Sequence, residues 1–470
     1  MMHAPRTTVP GTVAAALCAA LVAGCGARSA AVRGATGQTA AGSPSPAPVR
    51  MDMSSAEELL LRPERVLEDV RGFWERDRAY WLVAKHGQEA GFAMPPAGWE
   101  DAVRRLASVP AERREADGRY LLARQLASAQ DLFNQRAVPH IQSFFAPGSV
   151  DLSTTVYGTV ATWQNAFQKD YRIVVNISHP EWRRDQNTIL NTLVHELYHV
   201  GFYRAEALLS EVQLDDSERY DVLLNLLNEG MATWVAYTAR DIFPSRVADY
   251  GMLEDSAAVR GAIRSLNALL SLEEAAPADS FRQRMWVVGV QERALYIAGG
   301  HMARTIERSG GRNALVAVFS SGPRSFVAAY NRLVGQDERI VEYAAPTALS
   351  PYQEMRRAAV AGDYRAMRRA IAAIRARGTS GGPPVGHALQ TTGQLLLGRR
   401  EPDPAVEVFT LFRELFPRHA NPLEGLARAH LMRGDTARAT AALREILTIS
   451  PSNVFAVETL AELGVAPADG

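Results

Sequence analysis

Apolar positions along this 470-residue chain change spacing from one stretch to the next, and the changes outline its elements. From Asn187 onward, Ile189, Leu190, Leu193, Val194, Leu197 and Val200 form a stripe with helical spacing. Asp185 or Asn187 can cap its start, and Gly201 is expected to weaken its end. Just upstream, Tyr171 to Ile177 is rich in β-branched residues and closed by His179-Pro180, which predicts a strand. Thr154 to Ala161, after the break at Pro147-Gly148, predicts another. Leu226, Leu227, Met231 and Trp234 line a second apolar helical stretch. Residues 51–145 predict helices over Glu57 to Trp81 (interrupted near Pro63), Glu100 to Leu106 and Arg119 to Phe133, and Leu253 to Tyr343 predicts more.

Beyond residue 350 the pattern becomes periodic. Pro417 and Pro451 stand 34 residues apart, and aligning on them pairs Leu389 with Leu423, Ala405 with Ala439, Phe409 with Leu443 and Phe412 with Ile446. Gly434 falls at the turn inside its unit. Pro351 to Arg377, with Gly362-Asp363, looks like an earlier divergent copy, and Gly378 to Gly386 is expected to be a flexible insertion. Residues 350–464 thus resemble tetratricopeptide repeats. The resemblance implies stacked helix pairs with a concave face that binds peptides or a protein partner.

His195-Glu196-Leu197-Tyr198-His199 carries the chemistry. Two imidazoles four apart on a helix lie on one face, about 6 Å of rise apart, so both reach one cation. Glu196 is offset and can face a water held by that cation. This is the HExxH arrangement, in which zinc lowers the water's pKa and the glutamate takes its proton. A hydrolytic zinc takes a third protein ligand. Glu229 is a candidate, because an acid among Leu226, Leu227, Met231 and Trp234 is costly to bury unless it is paired or bound to metal. Glu206, Glu211 and Glu218 compete for the role. Asn228-Glu229-Gly230-x-Ala232 resembles the glutamate helix of gluzincin metallopeptidases, and that resemblance implies Glu229. The chain departs from the thermolysin-like pattern at Thr233, where an aspartate is usual, and its gap from His199 to Glu229 is longer. Phe202 and Ala205 occupy the positions where a metzincin needs glycine and histidine, which excludes that group.

Tyr296, Gly299 and Met302 form a Tyr-x-x-Gly-x-x-Met block similar to one in bacterial families described only as zinc-dependent peptidases. A Tyr296 hydroxyl or a His301 N–H there would stabilise the oxyanion of the tetrahedral intermediate. The plainer alternative is a packed helix with Tyr296 as a core aromatic. The expected fold is mainly α: a zincin-like catalytic domain with a small β-sheet, followed by a short tetratricopeptide-like α-solenoid.

At the start of the chain, an apolar run from Val13 to Ala23 is too short to span a membrane and fits a secretion signal. Leu21-Val22-Ala23-Gly24-Cys25 resembles a bacterial lipobox, which implies cleavage before Cys25 and acylation of its sulfur. The expected organisation is a signal peptide over 1–24, lipidated Cys25 and a linker over 25–50, a metallopeptidase domain over 51–348 and repeats over 349–470. The implied location is the cell envelope, on an outer or cytoplasmic membrane, facing periplasm or exterior. Basic and acidic residues number 51 each, so no net field favours nucleic acid. No P-loop or Gly-rich dinucleotide turn occurs. The implied cofactor is Zn2+, and the implied partners are a peptide or protein substrate, a membrane and a protein on the repeats. The alternative from another class is a catalytically silent repeat scaffold, though a scaffold would not need Glu196.

Overall fold

The computed structural model describes residues 49–89, 94–169, 171–182, 185–206, 218–272, 278–342, 349, 351–377, 385–451 and 453–466. The expected signal segment, Cys25 and all but the last two residues of the linker lie outside them. The protein is mainly helical with one small sheet. Among the described residues, no helix is long and apolar enough to cross a membrane.

The sheet has the order β1 (Val49–Asp52), β2 (Thr154–Thr159), β4 (Arg172–Asn176), β3 (Ala166–Lys169). β1, β2 and β4 are parallel, and β3 runs antiparallel to β4 with Phe167 opposite Val174. Parallel neighbours need a long crossover. Between β1 and β2 that crossover is the whole N-terminal helical shell.

One expected boundary changes here. The first strand begins at Val49, inside the segment assigned to the linker. The predicted strand at Tyr171 to Ile177 is β4, and it lies inside the sheet, so it offers no exposed edge. Ile173 to Asn176 are buried on both faces, which is why they show no polar alternation. The edge belongs to β3, a four-residue strand without β-branched residues and therefore silent to propensity. The opposite edge is blunted, because Asn134 and Gln130 side chains hydrogen-bond the β1 backbone at Val49 and Met51.

Glu57 to Trp81 is not a helix with one interruption but parts of four, Ser54–Leu61, Pro63–Glu68, Val70–Arg76 and Arg78–Glu89. Pro63 makes the first break. Aspartates make the others: Asp69 accepts from Gly72 N at 2.9 Å and Asp77 from Tyr80 N at 3.0 Å. Arg119 to Phe133 likewise divides into Gly118–Ser128 and Gln130–Gln142.

Two separate hydrophobic cores form, one between Val49 and Ile340 and one between Tyr352 and Leu460. The second consists of helix pairs, Pro351–Ala361 with Tyr364–Arg377, Val385–Gly398 with Pro402–Leu415, and Ala420–Met432 with Thr436–Ile449, then Val454–Glu462. All eight aligned positions from Leu389 to Ile446 are buried in it or beside it. The turns match too. Gly362 and Gly434 sit at φ 68° and 72°, and the next residue donates to a carbonyl five back (Asp363 to Ala358, Asp435 to His430, both 2.9 Å). Arg400 takes the same left-handed conformation in the middle pair. Residues 378–384 of the expected insertion lie outside the described residues, and Val385 and Gly386 already belong to a helix.

Candidate metal centre

Helix α1 (Gln186–Glu206) carries His195, Glu196 and His199. Asp185 caps it, accepting from Asn187 N at 3.1 Å and Thr188 Oγ1 at 2.6 Å. The helix runs on past Gly201, the residue expected to weaken its end, to Glu206. Gly201 lies within α1, where a Cβ would come 2.6 Å from the Phe145 ring, so its role is close packing. Helix α2 (Glu218–Thr238) carries Asn228, Glu229 and Gly230. Helix α3 (Ala248–Glu254) supplies Asp249, and helix α4 (Ala294–Ser321, kinked at Gly311) supplies Tyr296.

Two glycines bring α2 and α4 together. A Cβ on Gly230 would lie 2.3 Å from Gly299 Cα, and one on Gly299 would lie 2.4 Å from the Leu226 carbonyl oxygen. Backbone meets backbone there. The crossing sets Tyr296, one turn before Gly299, near Glu229.

Glu229 Oε2 lies 3.3 Å from His195 Nε2 and 3.4 Å from His199 Nε2. The two imidazole rings stand nearly perpendicular with centroids 4.7 Å apart. Among the described residues these three side chains form a cluster able to hold a metal, with one ligand atom from each, all within 4.8 Å. Donors about 2.0–2.1 Å from a tetrahedral zinc lie about 3.3–3.4 Å from one another, so the carboxylate stands at the right distance from both imidazoles. Glu229 Oε2 is moreover buried with no hydrogen-bond partner, which is costly for a carboxylate unless a cation meets it. The residues fit the metal. Glu211 lies outside the described residues, as do the side chains of Glu206 and Glu218. Thr233, in place of the usual aspartate, turns its hydroxyl back to the Glu229 carbonyl at 2.7 Å.

The electrostatics follow from burial against pairing. Burial opposes charge on His199, but Glu229 outweighs it and raises the imidazole to about 9. Burial would likewise raise Glu229, yet the two imidazoles hold it well below the usual carboxylate range. Glu196 is buried and raised, chiefly by desolvation. Burial also raises the Tyr296 phenol, with Glu229 adding to it, so Tyr296 keeps its proton. Asn228 Oδ1 meets His199 Nδ1 at 2.9 Å. In the neutral ring that a metal requires, Nδ1–H donates to Asn228 and Nε2 is left with its lone pair toward Glu229.

Tyr296 stacks on His195, centroids 6.0 Å apart and planes 14° from parallel. His301 does not join the site. Its Nδ1 accepts from Arg304 at 3.0 Å and its ring packs edge-on against Tyr330, because five residues along a helix carry it away from the Tyr296 face.

Residues 112–339 match a family described as "Putative zinc dependent peptidase (DUF5700)". The match covers just under half of the chain and takes in β2 to β4, α1 to α4, and with them His195, Glu196, His199, Glu229 and Tyr296. No curated protein and no solved structure matches the chain. The family description and the His-His-Glu cluster agree on the cofactor, zinc.

Sequence reasoning missed three residues of the site. Asn228 lay in plain view beside Glu229, but its hydrogen bond to His199 spans 29 residues. Arg293 and Asp249 pair across 44 residues and carried no local signal, although Arg293 stands one turn before Tyr296.

Proposed function

We propose that this protein is a zinc-dependent peptidase with a zincin-like catalytic domain of gluzincin type. The observation that carries the reading is the orphaned Glu229 oxygen, 3.3 and 3.4 Å from two imidazole nitrogens of an HExxH helix. His195, His199 and Glu229 would hold the ion, which when bound supplies Lewis acidity toward a peptide carbonyl and acidifies a water. Glu196 takes the proton of that water and passes it to the leaving amine, a task helped by a carboxyl raised above its ordinary value. The Tyr296 O–H donates to the oxygen on which charge develops. Asn228 keeps His199 in the ligating tautomer. Substrate backbone pairs along β3, the antiparallel edge strand, rather than along β4.

Zinc titration of the metal-free protein tests the reading. One site per chain is expected in the wild type and none of comparable affinity in Glu229→Ala. Below about pH 9, zinc must displace a proton from His199, so affinity should climb about tenfold per pH unit toward pH 9 and level off above it. A wild-type protein that takes up no zinc would remove the basis for a peptidase.

We further read the mature chain as a lipoprotein of the cell envelope, tethered through Cys25. The support is the lipobox-like Leu21 to Cys25 and the Ala/Gly/Ser/Pro-rich stretch after it. Cys25→Ala expressed in a bacterial host should leave the membrane fraction for the soluble one, and continued membrane partitioning would reject the anchor. The helix pairs beyond residue 350 are read as tetratricopeptide-like repeats that bind a protein partner, on the strength of the 34-residue period and the shared left-handed turns.

A further inference from the structure

The two histidines of the metal centre are held by different means. His199 has its hydrogen bond from Nδ1 to Asn228. The Nε2 of His195 faces Glu229, and among the described residues no hydrogen bond reaches its Nδ1, where a ligating histidine ordinarily has a partner to fix its orientation. What lies against His195 is the Tyr296 ring. On the Tyr296 ring lies Arg293, its guanidinium carbon 3.3 Å from the ring centroid. Arg293 is gripped in turn by Asp249 of α3, with Nε 3.1 Å from both carboxylate oxygens and a terminal nitrogen 2.5 Å from Oδ2. The result is a relay of contacts: carboxylate to guanidinium, guanidinium to phenol ring, phenol ring to imidazole.

Arg293 pays a conformational penalty to stand there. It is the residue before α4 and adopts φ 61°, ψ 20°, a left-handed backbone that disfavours residues with a Cβ. A strained arginine held by a fork of hydrogen bonds and pressed on an aromatic face is over-determined by its surroundings, as a residue set for positioning would be.

We propose that Arg293, anchored by Asp249, is a positioning residue: it clamps Tyr296 against His195 and so orients that ligand for the metal, taking the place of the missing hydrogen bond. The inference rests on the metal-centre reading above and deepens it. Arg293 acts through Tyr296 and need touch neither metal nor substrate. The planar guanidinium matters more than its charge, because stacking requires a flat face that an ammonium lacks.

Cobalt(II) titration of the metal-free full chain, followed by its visible absorption, reads ligand geometry and affinity without any substrate. Arg293→Met and Asp249→Asn should weaken cobalt binding by about 10–100-fold, the loss usual for groups that orient a ligand, and change the band shape. Tyr296→Phe keeps the stack and should bind cobalt as the wild type does, whereas Tyr296→Ala should follow Arg293→Met. Arg293→Lys should fail to restore affinity. Wild-type binding in Arg293→Met and Asp249→Asn, or full recovery in Arg293→Lys, overturns the clamp. If Arg293→Met does not fold, the Phe and Ala variants of Tyr296 decide, and equal affinities for those two also overturn it. Failure of the metal centre itself looks different, since the wild type would then bind no cobalt at all.

Discussion

Glu196→Gln is expected to keep one zinc per chain and to lower peptide hydrolysis by about 10²–10⁴-fold, the range usual for loss of a general base. Glutamine preserves the size of the side chain and can still accept a hydrogen bond, but it cannot take a proton from water. Glu196 is buried beside both imidazoles, Glu229 and Arg293, so the substitution also removes a carboxylate from a site already holding one. That change should leave the zinc ligands in place. Bound metal and turnover of a broad peptide library, measured on the same preparations, check the prediction. Equal turnover in the two proteins would take Glu196 out of the chemistry. No turnover in either, with zinc bound in both, would favour a structural metal and the scaffold reading.

Gly299→Ala should destabilise the protein by about 3 kcal/mol, the upper part of the range for overpacking a tight contact. The sign is informative, because alanine in a helix interior is otherwise worth about 1 kcal/mol over glycine. At Gly299 the new methyl would fall 2.4 Å from the Leu226 carbonyl oxygen and 2.6 Å from Gly230 Cα. Both are backbone atoms on α2, so no side chain can swing aside and the helices must part. Separation would carry Tyr296 away from His195 and Glu229, and zinc affinity should fall with the melting temperature. Gly261→Ala is the control: nothing lies within 4 Å of its Cβ position, and it should be neutral or slightly stabilising. Thermal melts of the two variants should therefore move in opposite directions, and a Gly299→Ala protein as stable as the wild type would disprove the tight crossing.

How much was legible in advance depended on whether the signal was local. The stripe from Ile189 to Val200 marked α1 because one helix face is buried along its length, and the HExxH spacing is itself a statement about helix geometry. Glu229 was legible because a carboxylate inside an apolar helix demands a partner. The 34-residue spacing was legible because the positions it pairs are buried in both helix pairs. Helix α1 runs on past Gly201, where the deciding contact comes from Phe145, far away in the chain. β3 was missed because four residues without β-branching become a strand only when β4 offers its edge. Asp69 and Asp77 split an apparent long helix by capping, a choice that tertiary packing of the short pieces settles.

By itself, the sequence determined the helical character and the two histidines and glutamate of one helix, which follow from spacing, and it offered Glu229 as a candidate third ligand through the cost of burying charge and the gluzincin resemblance. Only the tertiary structure decided which strand forms the free edge, which side chain lies against each imidazole, and that Arg293 rests on Tyr296 while His301 turns away to Tyr330. Those contacts join residues tens of positions apart, and no periodicity links them. They exist because Gly230 and Gly299 let two backbones touch, and that closeness is a property of the packed chain.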